Sequence, residues 1–275
     1  MSAWARGGTM DGTKLRRARA CLLMWVVVCV ALLPGLALAQ ASAGAIPDGR
    51  GRVVALAAGG YHSCALRSSG SIACWGSNWS GESSAPTKGL FTAVAAGLYH
   101  SCALRSDGEA VCWGDNGYGQ VAVPVGQRFT AIAAGGTHTC GLRASGAMVC
   151  WGNNAAGQAT PIKQSFVALT AGVEHTCGLR ADGTAMCWGA SNNGATAIPF
   201  GETFTAISAG NFHTCGLRAT GVGVCWGNGL VASIAGNQVS TALASGGLHT
   251  CTISQTGTAV CGGFNTYGQA SPPLV

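Results

Sequence analysis

The sequence predicts an all-β protein, a β-propeller with six blades of about 37 residues each. Glycine supplies 44 of the 275 residues without a three-residue period, which indicates many tight turns and excludes collagen. Charged residues make up only 9% of the chain, too few for the solvated faces of a helical protein. An internal repeat is marked by six histidines at intervals of 38, 38, 37, 38 and 36 residues: His62, His100, His138, His175, His213 and His249.

Each repeat contains three short segments typical of strands. In the third repeat these are the apolar run at residues 129–135, the segment 138–142 that begins with the histidine, and the segment 148–151. A looser stretch at residues 157–161 is interpreted as a fourth strand, because its proline suits an edge position. Histidine and tryptophan recur in nearly every repeat, so we expect both to be structural, the first hydrogen-bonded and the second packed in the core.

A pair of cysteines ten residues apart recurs in every repeat. If Cys64 faces Cys74 across an antiparallel hairpin, residues 68–70 form a three-residue loop whose third position favours a left-handed glycine. Facing residues in such a hairpin lie about 4.5–5.5 Å apart at Cα, close enough for a disulfide. Glycine holds the third loop position in all repeats: Gly70, Gly108, Gly146, Gly183, Gly221 and Gly257. The sequence therefore predicts one disulfide per blade: Cys64–Cys74, Cys102–Cys112, Cys140–Cys150, Cys177–Cys187, Cys215–Cys225 and Cys251–Cys261.

A metal site is the competing interpretation of these cysteines, because His-x-Cys and the second cysteine would supply three ligands per blade. Export to an oxidising compartment and the satisfied hairpin register favour disulfides. We therefore expect no metal and no cofactor.

The N-terminal residues 1–39 have the features of a secretory signal peptide. Basic residues between Lys14 and Arg19 precede an apolar run at residues 21–33, and Ala37-Leu38-Ala39 is a small-residue cleavage signal. The run is shorter than a spanning helix, so we expect cleavage and no stable membrane span, with a retained anchor as the alternative. Residues 40–52 form a short N-terminal segment, and residues 53–275 form the propeller of a secreted, periplasmic or cell-surface protein.

The charge pattern argues against nucleic-acid binding and catalysis. From Gln40 onward the chain has ten Lys or Arg and eight Asp or Glu, which is no basic excess for a nucleic acid. Glycoside hydrolysis needs paired carboxylates, but no acidic residue recurs in all the repeats, and no nucleophile elbow or phosphate loop occurs. We predict no catalytic residues, with a glycan-active enzyme on a propeller scaffold as the alternative.

The repeat reads A-G-x-x-H-S/T-C-A/G-L-R-x-x-G-x-x-x-C-W-G and is followed by N-x-x-G-Q, with clear copies of the tail at residues 115–120 and 265–269. This pattern resembles the repeat of the regulator-of-chromosome-condensation family. It is most similar to the short, cysteine-paired variety of secreted bacterial proteins and of the ectodomains of crinkly-type receptor kinases, and it is similar to the propeller-type β-lactamase inhibitor.

The resemblance implies a closed ring, often of seven blades. The chain shows six repeats, so we expect six blades closed by residues 268–275 as the outer strand of the first blade, with seven blades as the alternative. The family's nuclear nucleotide exchange is inconsistent with the leader and the disulfides.

Strands that run up and down place two sets of loops on opposite faces of a propeller. Loops before each histidine and after each Trp-Gly share one face, with the acidic residues Glu82, Asp115 and Glu174. Aromatic loop residues are typical binding anchors, and this face carries the candidate binding residues Tyr61, Trp79, Tyr99, Tyr118, Phe212 and Tyr267. The cysteine hairpin turns share the other face, which carries Arg67, Lys88, Arg105, Arg128, Arg143, Lys163, Arg180 and Arg218, an alternative site for an anionic ligand.

The sequence thus predicts a secreted, non-enzymatic binding or scaffold propeller that recognises a protein or glycan partner through loops on one face. A ligand-binding module of a receptor-kinase system is a further alternative. Asn78-Trp79-Ser80 is a sequon, so Asn78 is a candidate glycosylation site.

Overall fold

The computed structural model describes residues 51–191, 193–228, 238–266 and 270–271 of the chain. Within these ranges every regular element is a β-strand, so this part of the chain contains no helix that could cross a membrane. The predicted leader and nearly all of the N-terminal segment lie outside the described residues and stay predictions.

The 18 strands form six antiparallel sheets of three strands, one sheet for each repeat, which confirms the all-β blade architecture. The first strand of each sheet is β1 (Val53–Ala58), β4 (Phe91–Ala96), β7 (Ala131–Ala134), β10 (Ala168–Ala171), β13 (Ala206–Ala209) or β16 (Ser240–Ser245). The second is β2 (His62–Arg67), β5 (His100–Arg105), β8 (His138–Leu142), β11 (His175–Leu179), β14 (His213–Leu217) or β17 (His249–Ser254). The third is β3 (Ile72–Gly76), β6 (Ala110–Gly114), β9 (Met148–Gly152), β12 (Ala185–Gly189), β15 (Gly223–Gly227) or β18 (Ala259–Gly263).

The first strands are the inner strands of the blades. Each packs against the first strand of the next sheet, from β1 through β4, β7, β10 and β13 to β16. Within the described residues β16 does not pack against β1 in this way, and residues 268–275, expected to close the ring, lie almost entirely outside them. Closure with six blades therefore stays a prediction.

The predicted hairpin register is confirmed in every blade. Cys64 faces Cys74 and Leu66 faces Ile72, and the Arg67 N–H donates to the carbonyl of Ser71 at 2.9 Å, which closes the three-residue loop. All six loop glycines have positive φ between 78° and 84°. The six predicted disulfides are present, with Cα atoms 4.0–4.1 Å apart.

Replacing Cys140 and Cys150 together by alanine should lower the free energy of unfolding by about 3 kcal/mol, because the unfolded chain loses a cross-linked loop. Guanidinium denaturation of the disulfide-bonded protein measures the change. The difference from wild type should shrink in reducing agent, where both chains lack the cross-link. An undiminished difference under reduction would mean that lost packing of the buried Cys140 causes it.

The expected fourth strand is wrong for the described blades. Residues 157–161 form turns, because their backbone groups bond to nearby side chains instead of to a strand. The Ala159 N–H donates to Asn154 Oδ1 at 2.8 Å, and the Ala156 N–H donates to Gln158 Oε1 at 2.9 Å.

The core lies between neighbouring sheets and contains a phenylalanine near the start of each of several inner strands. Phe129 is buried and stacks on Trp151 of the same blade with ring centroids 5.7 Å apart. The middle strand has Gly141 beneath this ring, where a Cβ atom would lie 2.4 Å from Phe129 Cδ1. The same arrangement recurs in the next two blades, so the Ala/Gly position of the repeat is determined by packing.

Candidate functional site

A chain of buried hydrogen bonds runs from each of the first five repeated histidines into the next blade and fixes the frame of the site. The hydroxyl of Thr139 donates to the carbonyl of Gln120 at 2.8 Å. Since that proton is committed, the Thr139 oxygen accepts from His100 Nε2–H, 2.9 Å away. The bonds from His62 to Ser101, His138 to Thr176, His175 to Thr214 and His213 to Thr250 repeat this link at 2.7–2.9 Å.

Three of the tryptophans, Trp113, Trp151 and Trp226, add a second bond to the same acceptors. Trp113 Nε1–H donates to the carbonyl of Glu82 and Trp151 Nε1–H to that of Gln120, each at 2.9 Å. Each of these carbonyls belongs to the preceding blade. Five of the histidines and three of the tryptophans thus join neighbouring blades, which supports the expectation that these repeated residues are structural. Trp188 differs, because its buried Nε1 has no hydrogen-bond partner among the described residues.

Burial keeps these imidazoles neutral. It lowers the pKa of His100, His175 and His213 from 6.5 to about 4, and that of His138 to about 3. Neighbouring histidines lower the pKa of His100, His138 and His213 further, because a second positive charge nearby opposes protonation.

The two sets of loops predicted to share a face do lie at the same end of the sheets. The Ser77 N–H, which follows the first Trp-Gly, donates to the carbonyl of Tyr61 at 2.9 Å. The Asp115 N–H donates to the carbonyl of Tyr99 at the same distance one blade later. We call this end of the propeller, formed by the loops before each histidine and after each third strand, the aromatic face.

Five of the six predicted binding residues lie exposed on the aromatic face. Trp79 is 91% exposed, and Tyr118 and Phe212 are also exposed. Tyr61 and Tyr99 belong to adjacent blades and stack with ring centroids 6.1 Å apart, while remaining 65% and 36% exposed. The sixth, Tyr267, lies outside the described residues. The structure thus places an exposed aromatic pair and the exposed loop residues Trp79 and Tyr118 on the same face.

The N-x-x-G-Q tail holds these loop tips in place. The Tyr118 N–H donates to the buried Gln120 side chain at 2.9 Å, and the Gln120 amide donates to Asp115 at 2.6 Å. Asn116 Oδ1 accepts from the Val121 N–H at 3.2 Å. These bonds hold the loop in shape while the Tyr118 side chain itself stays exposed at its tip.

Glu82 is not an accessible charge of this face, contrary to its sequence-based assignment. It holds the glutamine position of the tail and is fully buried. The Ser77 hydroxyl and the Ser80 N–H donate to its carboxylate, at 2.5 and 2.8 Å. Burial alone raises the pKa of Glu82, but these hydrogen bonds and the nearby His62 outweigh it and hold the pKa below its ordinary value. The sequence signal for this buried role is the segment Asn78-Trp79-Ser80-Gly81-Glu82, which follows the N-x-x-G-Q pattern with Glu82 at the glutamine position.

A small polar cleft between the fourth and fifth blades was missed by sequence reasoning. The residues that line it include Glu174, Asn193, Asn211 and Phe212. The two asparagines hold no shared repeat position, so only the packing of adjacent blades brings them together.

Asn78 has a structural role in addition to its candidate modification. Its Oδ1 accepts from the Ser83 N–H at 2.9 Å and its Nδ2 donates to Ser84 Oγ at 3.0 Å. Its glycosylation stays a prediction.

The opposite end of the sheets, which we call the hairpin face, holds the cysteine hairpin turns and the proline-containing loops between blades. Bonds such as Phe129 N–H to the carbonyl of Gly108, at 2.8 Å, join the two. Three ion pairs lie there: Arg105–Glu109, Arg128–Asp107 and Arg218–Glu202.

Residues 53–82, 91–120, 129–158 and 166–195 match the family model of the regulator of chromosome condensation (RCC1) repeat. These are the first four of the six structural units. No curated protein sequence matches the chain.

Solved structures share the fold. The ectodomain of receptor kinase CR4 from Physcomitrella patens is 31% identical with a TM-score of 0.68 over 78% of this chain, which spans 62% of that ectodomain. The CRINKLY ectodomain of Arabidopsis thaliana ACR4 is 28% identical with a TM-score of 0.66, over 78% of this chain and 87% of that one.

Yeast RCC1 (Prp20), solved bound to Kap60, is 19% identical with a TM-score of 0.69, over 81% of this chain and 72% of that one. At this identity the likeness concerns the fold alone. The chain therefore has the blade architecture of an RCC1-type propeller, and the first four of its six structural units match the RCC1 repeat.

Proposed function

We propose that the protein is a secreted, non-enzymatic binding propeller whose aromatic face recognises a protein or a glycan. The observation that carries the proposal is the exposed, stacked pair Tyr61 and Tyr99, which shares the aromatic face with the exposed Trp79. Aromatic side chains ordered before binding lose little entropy on association, which makes them effective anchors.

The charge of the aromatic face also suits a neutral or mildly basic partner. Among the described residues this face has no Lys or Arg, and its accessible acids are Asp115 and Glu174. The small cleft lined by Glu174, Asn193, Asn211 and Phe212 adds polar residues and an aromatic residue to this face, and side chains of these kinds can bind hydroxyls of a glycan or backbone groups of a peptide.

The comparisons support an extracellular role. Two similar structures are ectodomains of plant receptor kinases, and six disulfides persist only in an oxidising compartment. Secretion would place the aromatic face where such a partner is met.

Replacing Tyr61, Tyr99 and Trp79 together by alanine should weaken partner binding at least about a hundredfold, because anchors of this kind dominate interface energies. The exported protein is immobilised and used to capture ligands from culture medium, from cell-surface extract and on a glycan array. Titration of the captured ligand then gives the dissociation constants of wild type and variant.

A matched control removes exposed apolar side chains from the hairpin face, as Val125→Ser with Phe200→Ser, and should leave this affinity unchanged. Equal affinity of wild type and the triple variant would contradict the proposal. Turnover of a captured glycan, instead of retention, would favour the enzyme alternative.

A further inference from the structure

The charges of the protein are segregated between its two faces. All nine Lys and Arg among the described residues lie on the hairpin face: Arg52, Arg67, Lys88, Arg105, Arg128, Arg143, Lys163, Arg180 and Arg218. Four of the seven described acids share that face: Asp107, Glu109, Asp182 and Glu202. The hairpin face thus has a formal charge of +5, which orients the propeller towards a negative surface.

Hydrophobic side chains project from the same face. Val125 is 97% exposed and Phe200 is fully exposed, each at the tip of a loop between blades. Both occupy the same place in the repeat, four residues before a buried phenylalanine, between a proline and a glycine of positive φ. A single exposed apolar residue needs no explanation, but two equivalent rigid tips of this kind indicate a site of insertion.

Around the edge of the hairpin face, the exposed apolar residues Val125 and Phe200 alternate with basic residues. The corresponding loops of the first and third repeats expose Lys88 and Lys163 beside the same turn. The order around the ring is therefore Lys88, Val125, Lys163, Phe200. Apolar tips between cations match the boundary of an anionic bilayer, where lipid phosphates meet the cations and acyl chains meet the tips.

We propose that the hairpin face docks on an anionic lipid membrane, with Val125 and Phe200 inserted among the acyl chains. Docking in this way points the aromatic face away from the membrane. A protein partner fits less well, because its interface needs a contiguous apolar centre and these tips are separated by Lys163. A soluble polyanion accounts for the charge but not for the tips.

The test is co-sedimentation of the exported protein with vesicles of phosphatidylcholine, with and without about one third phosphatidylglycerol. We expect binding to the anionic vesicles, lost as the salt concentration rises from about 0.1 to 0.5 M. The double variant Val125→Ser, Phe200→Ser should bind anionic vesicles at least about tenfold more weakly, because it removes both insertions. Both side chains are exposed loop tips, so unchanged thermal unfolding verifies that the variant is folded.

The matched control is Tyr61→Ser with Trp79→Ser on the aromatic face, which should bind vesicles as wild type does. Equal binding to both kinds of vesicle, absence of binding, or binding that survives loss of the tips would overturn the proposal. Salt-sensitive binding to soluble heparin with no dependence on the tips would also overturn it, in favour of a polyanion site. The Val125→Ser, Phe200→Ser variant should still capture the partner of the aromatic face. Failure of the membrane-docking proposal can therefore be distinguished from failure of the proposed function.

Discussion

Acidification from pH 7 to pH 5 should destabilise the propeller by about 2 kcal/mol for each of the buried histidines His100, His138, His175 and His213. Their pKa values in the folded protein are about 3 to 4, against 6.5 in an unfolded chain. Between these values the unfolded state binds more protons than the folded state. Stability is therefore complete above pH 6.5 and falls as the pH decreases towards 4.

The physical cause of this loss of stability is the hydrogen bond from each buried histidine to a threonine of the next blade. A protonated imidazole must either be buried as a charge or leave its site, and leaving breaks the links to Thr139, Thr176, Thr214 and Thr250. Guanidinium unfolding at pH 7.5, 6 and 5 measures the effect. The variant His138→Gln keeps an N–H donor of similar reach for Thr176 but cannot titrate, so its slope should be lower by about 1.4 kcal/mol per pH unit near pH 5. A stability that is flat from pH 7 to pH 5 would refute this account.

Replacing Gly97 by alanine should lower the free energy of unfolding by about 3 kcal/mol or more. The added Cβ atom would lie 2.3 Å from the carbonyl oxygen of Gly135 in the next blade and 2.6 Å from His100 Cε1. The first contact is with backbone and the second with a ring held by its own hydrogen bond, so neither neighbour can move cheaply. The Gly97→Ala substitution would therefore push two blades apart and displace the His100 ring at the same time.

Gly117→Ala is the control for this change. Its Cβ atom would meet only the Asp115 side chain, at 3.6 Å, and its φ is not in the left-handed region. Urea or guanidinium denaturation should therefore show little change for Gly117→Ala and a large loss for Gly97→Ala. Equal losses would mean that the cost is general to loop glycines and not specific to the contact between blades.

The hairpins were predictable from sequence because each is closed within ten residues. Cys64 and Cys74 determine the register, and the glycine at Gly70 must lie where the turn needs positive φ. Strand periodicity, turn chemistry and sulfur spacing are all local, so six repetitions of them predicted the sheets and disulfides that the structure contains. The same local reasoning placed the aromatic residues at one end of the sheets.

The tail of the repeat was misjudged because its bonding is a matter of side chains and not of strand periodicity. Residues 157–161 have the composition of an edge strand, but Asn154 and Gln158 satisfy the backbone that a ladder would have used. Glu82 was assigned to the surface for a related reason: its charge suggested exposure, while its position in the tail buries it.

By itself, then, the sequence determined the repeat, the strands, the turns and the sulfur pairing, since each depends on residues close together in the chain. Only the tertiary structure decided which groups meet across blades, such as His100 with Thr139 and His138 with Thr176. These partners are about one repeat apart in sequence, and their distance depends on how one sheet is rotated and stacked against the next, which no local pattern specifies.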